Sequence, residues 1–487
     1  MKKMPGAPSS SRIATSLMVL AALGLVTTQA LAERQASSLG QHGITWTFDK
    51  EYQVGRFITG DYWIVGPVTI TEIDPPLKES DFGDRNGTMI NAANGKQGLD
   101  GYRTPRYGQI QYDESLNIEA RDGLPVTVDP GNSVISAIGR NLDADGENIN
   151  PMLQSVGILT VVSEPPPADA FRPSYVGADK VIYRWSDVEA NLSRLPNRTP
   201  VAGIPSSYEY IEKLRGPWAL LSVPGWQGRY MHAGENMPNY HREVGRFLGR
   251  SAVLVTMRTH NRMEVLKHLL QVGIDYYAVG QTMQGTAAQW QWPVIFAGIM
   301  LGDEKMRDVY LTGNRHPDNG TRGQRHLYRL PEENRSAVDS AIVPGGKGMT
   351  TWTGHTAAWR QSTKSVNCYH QEHLHPSEWS SVTAQESCPQ SLHTRETYRR
   401  INSPAYALMA LAASSMGERD RFYRSDLYFD YAERWMDEDL SSPEHDVYGK
   451  APRYTIDSRE YGSTTSGFAD RYYQHYGWAV AEGVSID

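Results

Sequence analysis

The chain has 487 residues with 48 Lys+Arg against 55 Asp+Glu, a formal charge of −7. An acidic balance of this kind argues against generic nucleic-acid binding through a basic surface, so an anionic partner would have to be met by cations gathered locally. The length accommodates two or three domains with a substantial core.

The first element in chain order is an expected signal peptide, residues 1–32. Lys2, Lys3 and Arg12 form a basic n-region, IATSLMVLAALGLVTTQ is an apolar run, and Ala30-Leu31-Ala32 is a small-x-small cleavage site before Glu33. A membrane anchor is the alternative, but the strongly apolar part is about a dozen residues, short of the roughly 20 that span a bilayer. The expected location is therefore periplasmic or secreted, with no stable membrane insertion after cleavage.

Residues 43–164 read as β-structure. ITWTF, YWIVGPVTITEI, GQIQY, LPVTV, SVISAI and GILTVV are short runs rich in Val, Ile, Thr and aromatics, punctuated by Gly, Pro, Asn and Asp. That composition predicts a β-sandwich of about 120 residues. A proline-rich connection follows, EPPPADAFRPSY, with the linker set at 165–177.

From 178 to 487 the pattern is helical. SSYEYIEKLRG, NYHREVGRFLGRSAVLVTM, NRMEVLKHLLQVGIDYYAVGQ, QWPVIFAGIMLGD, SPAYALMALAASSMG and SDLYFDYAERWMDEDL carry apolar residues at helical spacing. Val265, Leu266, Leu269, Leu270 and Ile274 fall on one side of such a helix. Successive helices without a fixed-period repeat predict an irregular α/α toroid, an incomplete α/α barrel. The fold class is thus multidomain α and β, a β-sandwich followed by a toroid. Twelve Trp and 27 Tyr against nine Phe suit carbohydrate surfaces, where flat sugar faces stack and hydroxyls need partners. Packing between helices is the plainer explanation of most of them.

Several stretches could carry chemistry. MPNYHREVGRF offers Tyr240, His241 and Arg242 at a helix start. In AQWQWPVIFAGIMLGD, Trp290 and Trp292 precede Pro293 and a long apolar helix, either as a sugar platform or as helix anchors. His355 follows the small, polar run GGKGMTTWT. NCYHQEHLHPSEW, 367–379, holds His370, Glu372, His373, His375 and Glu378, which resembles a zinc ligand list. Yet His370 and His373 share a face only in a helix and His373 and His375 only if extended, while Pro376 disfavours a helical His375. Metal binding is the lesser reading there, and no cofactor is expected. Cys368 and Cys388 are the two cysteines of the chain. In an oxidising compartment they read as one disulfide closing a loop worth roughly 3 kcal/mol by the chain-entropy estimate, with two unrelated thiols as the alternative.

In HTRETYRRINSPAY, 393–406, His393, Arg395, Arg399 and Arg400 surround Tyr398. Ser403 and Pro404 are a good N-cap and first-turn pair for the next helix. Nearby cations and a positive helix end favour a phenolate, which suits proton abstraction next to a carboxylate. A structural tyrosine among surface arginines is the bland counterpart. Signatures of α/β-hydrolases, P-loop and dinucleotide-binding proteins and EF-hands are missing.

PVIFAGIMLGD, HPSEW, the Tyr-Arg pair in ETYRRINSPAYALMALAASSMG, and SDLYFDYAERWM occur in that order. Together they resemble secreted bacterial alginate and glucuronan lyases of polysaccharide lyase family 38, which join a β-domain to an α/α toroid. The resemblance implies β-elimination on a uronic-acid polymer, so the implied partner is an anionic polysaccharide. By position it implies Tyr398 as base, acid or both, and Arg399 or Arg395 as the group that neutralises the substrate carboxylate. An assisting histidine is also implied, with His355 ahead of His393 and His375; His373, Trp290, Trp292, Tyr240 and His241 complete the expected substrate contacts. The chain departs from the family pattern in GQTMQGTAAQWQWP, which lacks histidine and cation, and in Ile401-Asn402-Ser403, where relatives tend to carry cysteine.

Overall fold

In the run ITWTF apolar residues alternate with threonine, and the computed structural model buries Ile44, Trp46 and Phe48 while Thr45 and Thr47 stay partly exposed. Period-two alternation is what a sheet with one solvated face requires. The structure describes residues 34–79, 84–92, 96–101, 103–104, 108–109, 112–139, 153–177, 179–204, 206–215, 242–282, 291–308, 407–422, 429, 432 and 468–484.

The described strands are β1 (Arg34–Gln41), β2 (Ile44–Arg56), β3 (Tyr62–Val65), β4 (Val68–Asp74), β5 (Thr88–Ile90), β6 (Arg103–Thr104), β7 (Gly108–Gln109), β8 (Val126–Val128), β9 (Asn132–Gly139) and β10 (Leu153–Val162). Eight of them form one curled mixed sheet in the order β5-β9-β10-β3-β2-β4-β8, with β1 also paired to β2; β6 and β7 make a separate pair. The β10–β3 pairing is parallel, with Leu159 opposite Tyr62 and Val162 opposite Val65. The sequence runs read as strands fall on β2, β3, β4, β7, β8, β9 and β10. β1 is not among them, because RQASSLGQ buries only Ala36 and Leu39. Its pairing with β2, rather than an apolar pattern, makes it a strand.

SVISAI and GILTVV read as near-continuous apolar runs for a structural reason. Val134, Leu159 and Val161 join Trp46 and Ile64 in one cluster, whereas Ile135, Ala137 and Ile158 join a second cluster with the helices. Strands covered on both faces cannot alternate with polar residues. Ser136, buried between them, accepts from Trp46 Nε1 at 2.9 Å and pairs with Thr88 Oγ1 at 2.8 Å.

The described helices are α1 (Ile118–Arg121), α2 (Trp185–Ala190), α3 (Ser207–Leu214), α4 (Arg242–Val255), α5 (Arg262–Thr282), α6 (Gln291–Leu301), α7 (Glu304–Arg307), α8 (Arg419–Phe422) and α9 (Phe468–Tyr476), with a further helical stretch at 407–415. Val265, Leu266, Leu269, Leu270 and Ile274 are all buried as their spacing predicts, and α5 is buried nearly all round between 268 and 276. The proline-rich connection is not a solvated tether. Residues 170–176 are buried, and Ile58 N donates to Ala170 O at 3.0 Å, tying the strap to the β2–β3 turn.

α5 crosses α6 at Gly273, where an added Cβ would overlap the Pro293 carbonyl and the Ala297 methyl. Both neighbours are parts of a packed helix and have little room to give. Gly273→Ala is therefore expected to destabilise the chain by about 1–3 kcal/mol, read as a lowered midpoint in denaturant unfolding. An unchanged midpoint would mean the two helices separate freely at this crossing.

Candidate functional site

The most concentrated buried chemistry among the described residues lies where the sheet, the strap and α5 meet. Arg172 comes from the strap and is 2% exposed. Its Nε donates to Asp61 Oδ2 at 2.8 Å, one terminal nitrogen to Asp275 Oδ2 at 2.6 Å, and the other to Asp275 Oδ1 at 3.1 Å and to Pro173 O at 3.0 Å. Asp61 sits in the β2–β3 turn, closed by Phe57 N donating to Asp61 O at 2.9 Å, and its Oδ1 accepts from Gln41 at 2.9 Å. Asp275 is in the middle of α5. One turn earlier Gln271 donates to the Arg172 carbonyl at 2.9 Å, so the same helix holds both ends of the arginine.

Two carboxylates share one guanidinium in this cluster, leaving it a charge short of neutral. A further cation interacting with the cluster is Lys180, whose Nζ donates to Ser174 O at 2.8 Å. Burial pulls the lysine down to about 7, the Arg172 charge adds to this, and Asp275 and Asp179 oppose it. Burial likewise pushes Asp275 up to about 6 despite Arg172, and the charge of Asp61 adds to the rise. Burial works against the Arg172 charge too, but Asp275 and Asp61 outweigh it and raise its pKa above the ordinary value. His268, buried on the same helix, is kept neutral: burial, then Arg215, lowers it to about 4.

This arrangement can tie the sheet to the helices and can take up a proton near neutrality. The sign follows from Asp275. Its folded value of about 6 lies above the ordinary 3.8, so the folded state binds more protons between those values. The contribution of Asp275 to stability must fall as pH rises through that window, by on the order of 3 kcal/mol for a shift of this size. Lys180, lowered from 10.5 to about 7, works in the opposite sense at higher pH: its contribution rises between those values. Urea unfolding of wild type and Asp275→Asn from about pH 4 to 8 should show their stability difference varying up to about pH 6 and levelling above it. A difference independent of pH would remove Asp275 from the titration.

A second polar group closes the α6–α7 corner. Tyr183 donates to Asp303 Oδ2 at 2.8 Å while Asp303 Oδ1 accepts from Met306 N at 2.9 Å. Burial raises the Tyr183 phenol, with Asp303 adding to it, and burial also raises Tyr112, Tyr276, Tyr277 and Tyr472. None of these five is prepared to lose its proton near neutrality, which a tyrosine base requires.

Of the expected site residues, Trp292 is within the described residues, and it is not a sugar platform. It is fully buried, with its ring stacked on Phe296 at 4.6 Å and on Phe422 at 5.5 Å. Its ring is enclosed by packing inside the protein, so Trp292 acts as a helix anchor. Tyr398, Arg399, Arg395, His355, His393, His373, His375, Trp290, Tyr240, His241, Cys368 and Cys388 lie outside the described residues, as does 1–33. Among the described residues no group of three or more His, Cys, Asp and Glu is placed to hold a metal ion, and no helix is long and apolar enough to cross a membrane.

Asp61, Arg172 and Asp275 were not legible as a group from sequence. A signal did exist for two of them: Arg172 interrupts AFRPSY and Asp275 interrupts QVGIDYY, single charges inside stretches that otherwise read as buried. Comparison of the chain with family models, with curated proteins and with solved structures gives no match.

Proposed function

We propose that the chain is a periplasmic or secreted polysaccharide lyase that cleaves a uronic-acid polymer, alginate or glucuronan, by β-elimination. The finer fold reading belongs to the same proposal: an N-terminal β-sandwich followed by an α/α toroid, the toroid carrying the chemistry. The observation that carries it is Tyr398 among His393, Arg395, Arg399 and Arg400, directly ahead of a segment whose continuation, 407–415, is a buried helix. A tyrosine flanked by guanidiniums before a helix N-terminus is the combination that stabilises a phenolate. The raised phenols of Tyr112, Tyr183, Tyr276, Tyr277 and Tyr472 support the choice by contrast.

In the proposed step Arg399 or Arg395 pairs with the substrate carboxylate, which acidifies the C5 proton. Tyr398 takes that proton, the electron pair forms the C4–C5 double bond, and the C4–O4 bond breaks. The departing O4 receives a proton from Tyr398 or from a histidine, with His355 first among the candidates. The full chain incubated with a panel of uronans should release products with the ultraviolet absorbance of a conjugated unsaturated uronate. Binding of those polymers without any such product would favour a non-catalytic glycan-binding protein.

A further inference from the structure

Three arginines gather beside the N-terminal end of α5, and no carboxylate among the described residues balances them. Residues 196–199 run alongside the turn at 256–258: Arg198 N donates to Thr256 O at 2.9 Å, and Arg258 N donates to Arg198 O at 2.8 Å. Arg262 lies beneath, 8% exposed, and its acceptors among the described residues are neutral. Its guanidinium donates to Val255 O at 2.8 Å, to Asn197 Oδ1 at 2.9 Å and to Pro196 O. Arg198 donates to Ser415 Oγ at 3.0 Å and to Ala479 O, and lies over the Tyr476 ring at 4.3 Å. Arg258 is exposed and makes one long side-chain hydrogen bond, to Thr199 Oγ1 at 3.3 Å.

Several other described arginines are matched with acids: Arg172 with Asp61 and Asp275, Arg194 and Arg421 with Glu418, Arg307 with Asp308. Here the acid in the first turn of α5, Glu264, is held by Lys267 at 2.6 Å. The imbalance registers on Arg262, whose pKa falls to about 10 through burial and then through the charge of Arg258. Thr259 Oγ1, in the same turn, is buried and has no hydrogen-bond partner among the described residues. Tyr476 fixes the frame by donating to Thr199 O at 2.7 Å. In a chain of net charge −7, a local excess of guanidinium held on rigid backbone is an anion-binding arrangement.

We propose that Arg258 and Arg198, backed by Arg262, form a surface that binds the carboxylates of an acidic polysaccharide. The proposal takes its ligand class from the uronan reading above but uses none of that reaction's residues. A uronan presents a carboxylate on every sugar, so adjacent guanidiniums can engage one chain, and the free N–H groups of Arg258 offer the planar fork a carboxylate accepts. The positive surface holds the polymer on the molecule while Tyr398 acts elsewhere in the sequence.

The test is affinity electrophoresis of the full chain through native gels containing alginate or neutral dextran, at low and at raised salt. Every protein carries Tyr398→Phe so that the polymer is not cut during the run. The expected result is retardation by alginate alone, weakened by salt, and about ten-fold weaker binding for Arg258→Glu, the scale of one lost charge-assisted contact. Arg258→Lys should retain part of the binding, and thermal unfolding of both variants should match the parent. Equal retardation of parent and Arg258→Glu, or equal retardation by dextran, overturns the proposal. Its fate is separate from that of the lyase reading: loss of binding in Arg258→Glu supports the surface even if no uronan yields unsaturated product, whereas unchanged binding removes the surface even if product forms.

Discussion

Arg172→Met is expected to cost about 3–5 kcal/mol of stability, the usual penalty for breaking a buried ion pair by removing one partner. Methionine fills much of the volume but leaves Asp61 and Asp275 buried without their shared cation. Both acids lie at or below 8% exposure, so little water can reach them to replace the lost donors. Carbonyl oxygen of Pro173 and both Asp275 oxygens lose hydrogen bonds at the same time. Because Asp61 belongs to the sheet and Asp275 to α5, the loss should appear as weakened coupling between the two layers. Denaturant unfolding would show a lower midpoint, and adding Asp275→Asn to Arg172→Met should recover part of it by removing one stranded charge. A midpoint equal to that of wild type would show that the guanidinium does not tie the layers together.

Tyr398→Phe is expected to reduce formation of unsaturated product by about 10²–10⁴-fold, the usual contribution of a positioned acid–base group. The substitution removes one hydroxyl and keeps the ring, so thermal unfolding should be unchanged. Substrate binding should also persist, since the arginines that pair with the carboxylate remain. A variant that keeps wild-type activity would remove Tyr398 from the mechanism.

The sheet was largely legible because its physics is local. ITWTF alternates and SVISAI does not, and these two patterns report one covered face and two. β1 was not legible, since a polar strand is made by the neighbour it pairs with. The helices were legible from spacing, as at Val265, Leu266, Leu269, Leu270 and Ile274. α2 and α9 carry weaker apolar patterns and did not stand out. Trp292 shows the limit of reading a site from residue type: the same indole that can stack on a sugar can stack on Phe296 and Phe422, and only the tertiary neighbours decide. The Asp61–Arg172–Asp275 cluster is a stronger case. Its members are separated by more than a hundred residues along the chain in each Arg172 pairing, so no local pattern joins them. The arginine surface is hidden in the same way, with Arg198 and Arg258 brought together by backbone pairing across segments.

The mass of the products released from a defined uronan by the chain tests the central claim most directly. Elimination cleaves without adding water, so every new non-reducing end should carry a C4–C5 double bond and each such fragment should be lighter by one water than its hydrolytic counterpart. The lyase reading predicts those lighter, ultraviolet-absorbing fragments from wild type and their loss in Tyr398→Phe. Fragments of hydrolytic mass, or no fragments from any uronan, would contradict it.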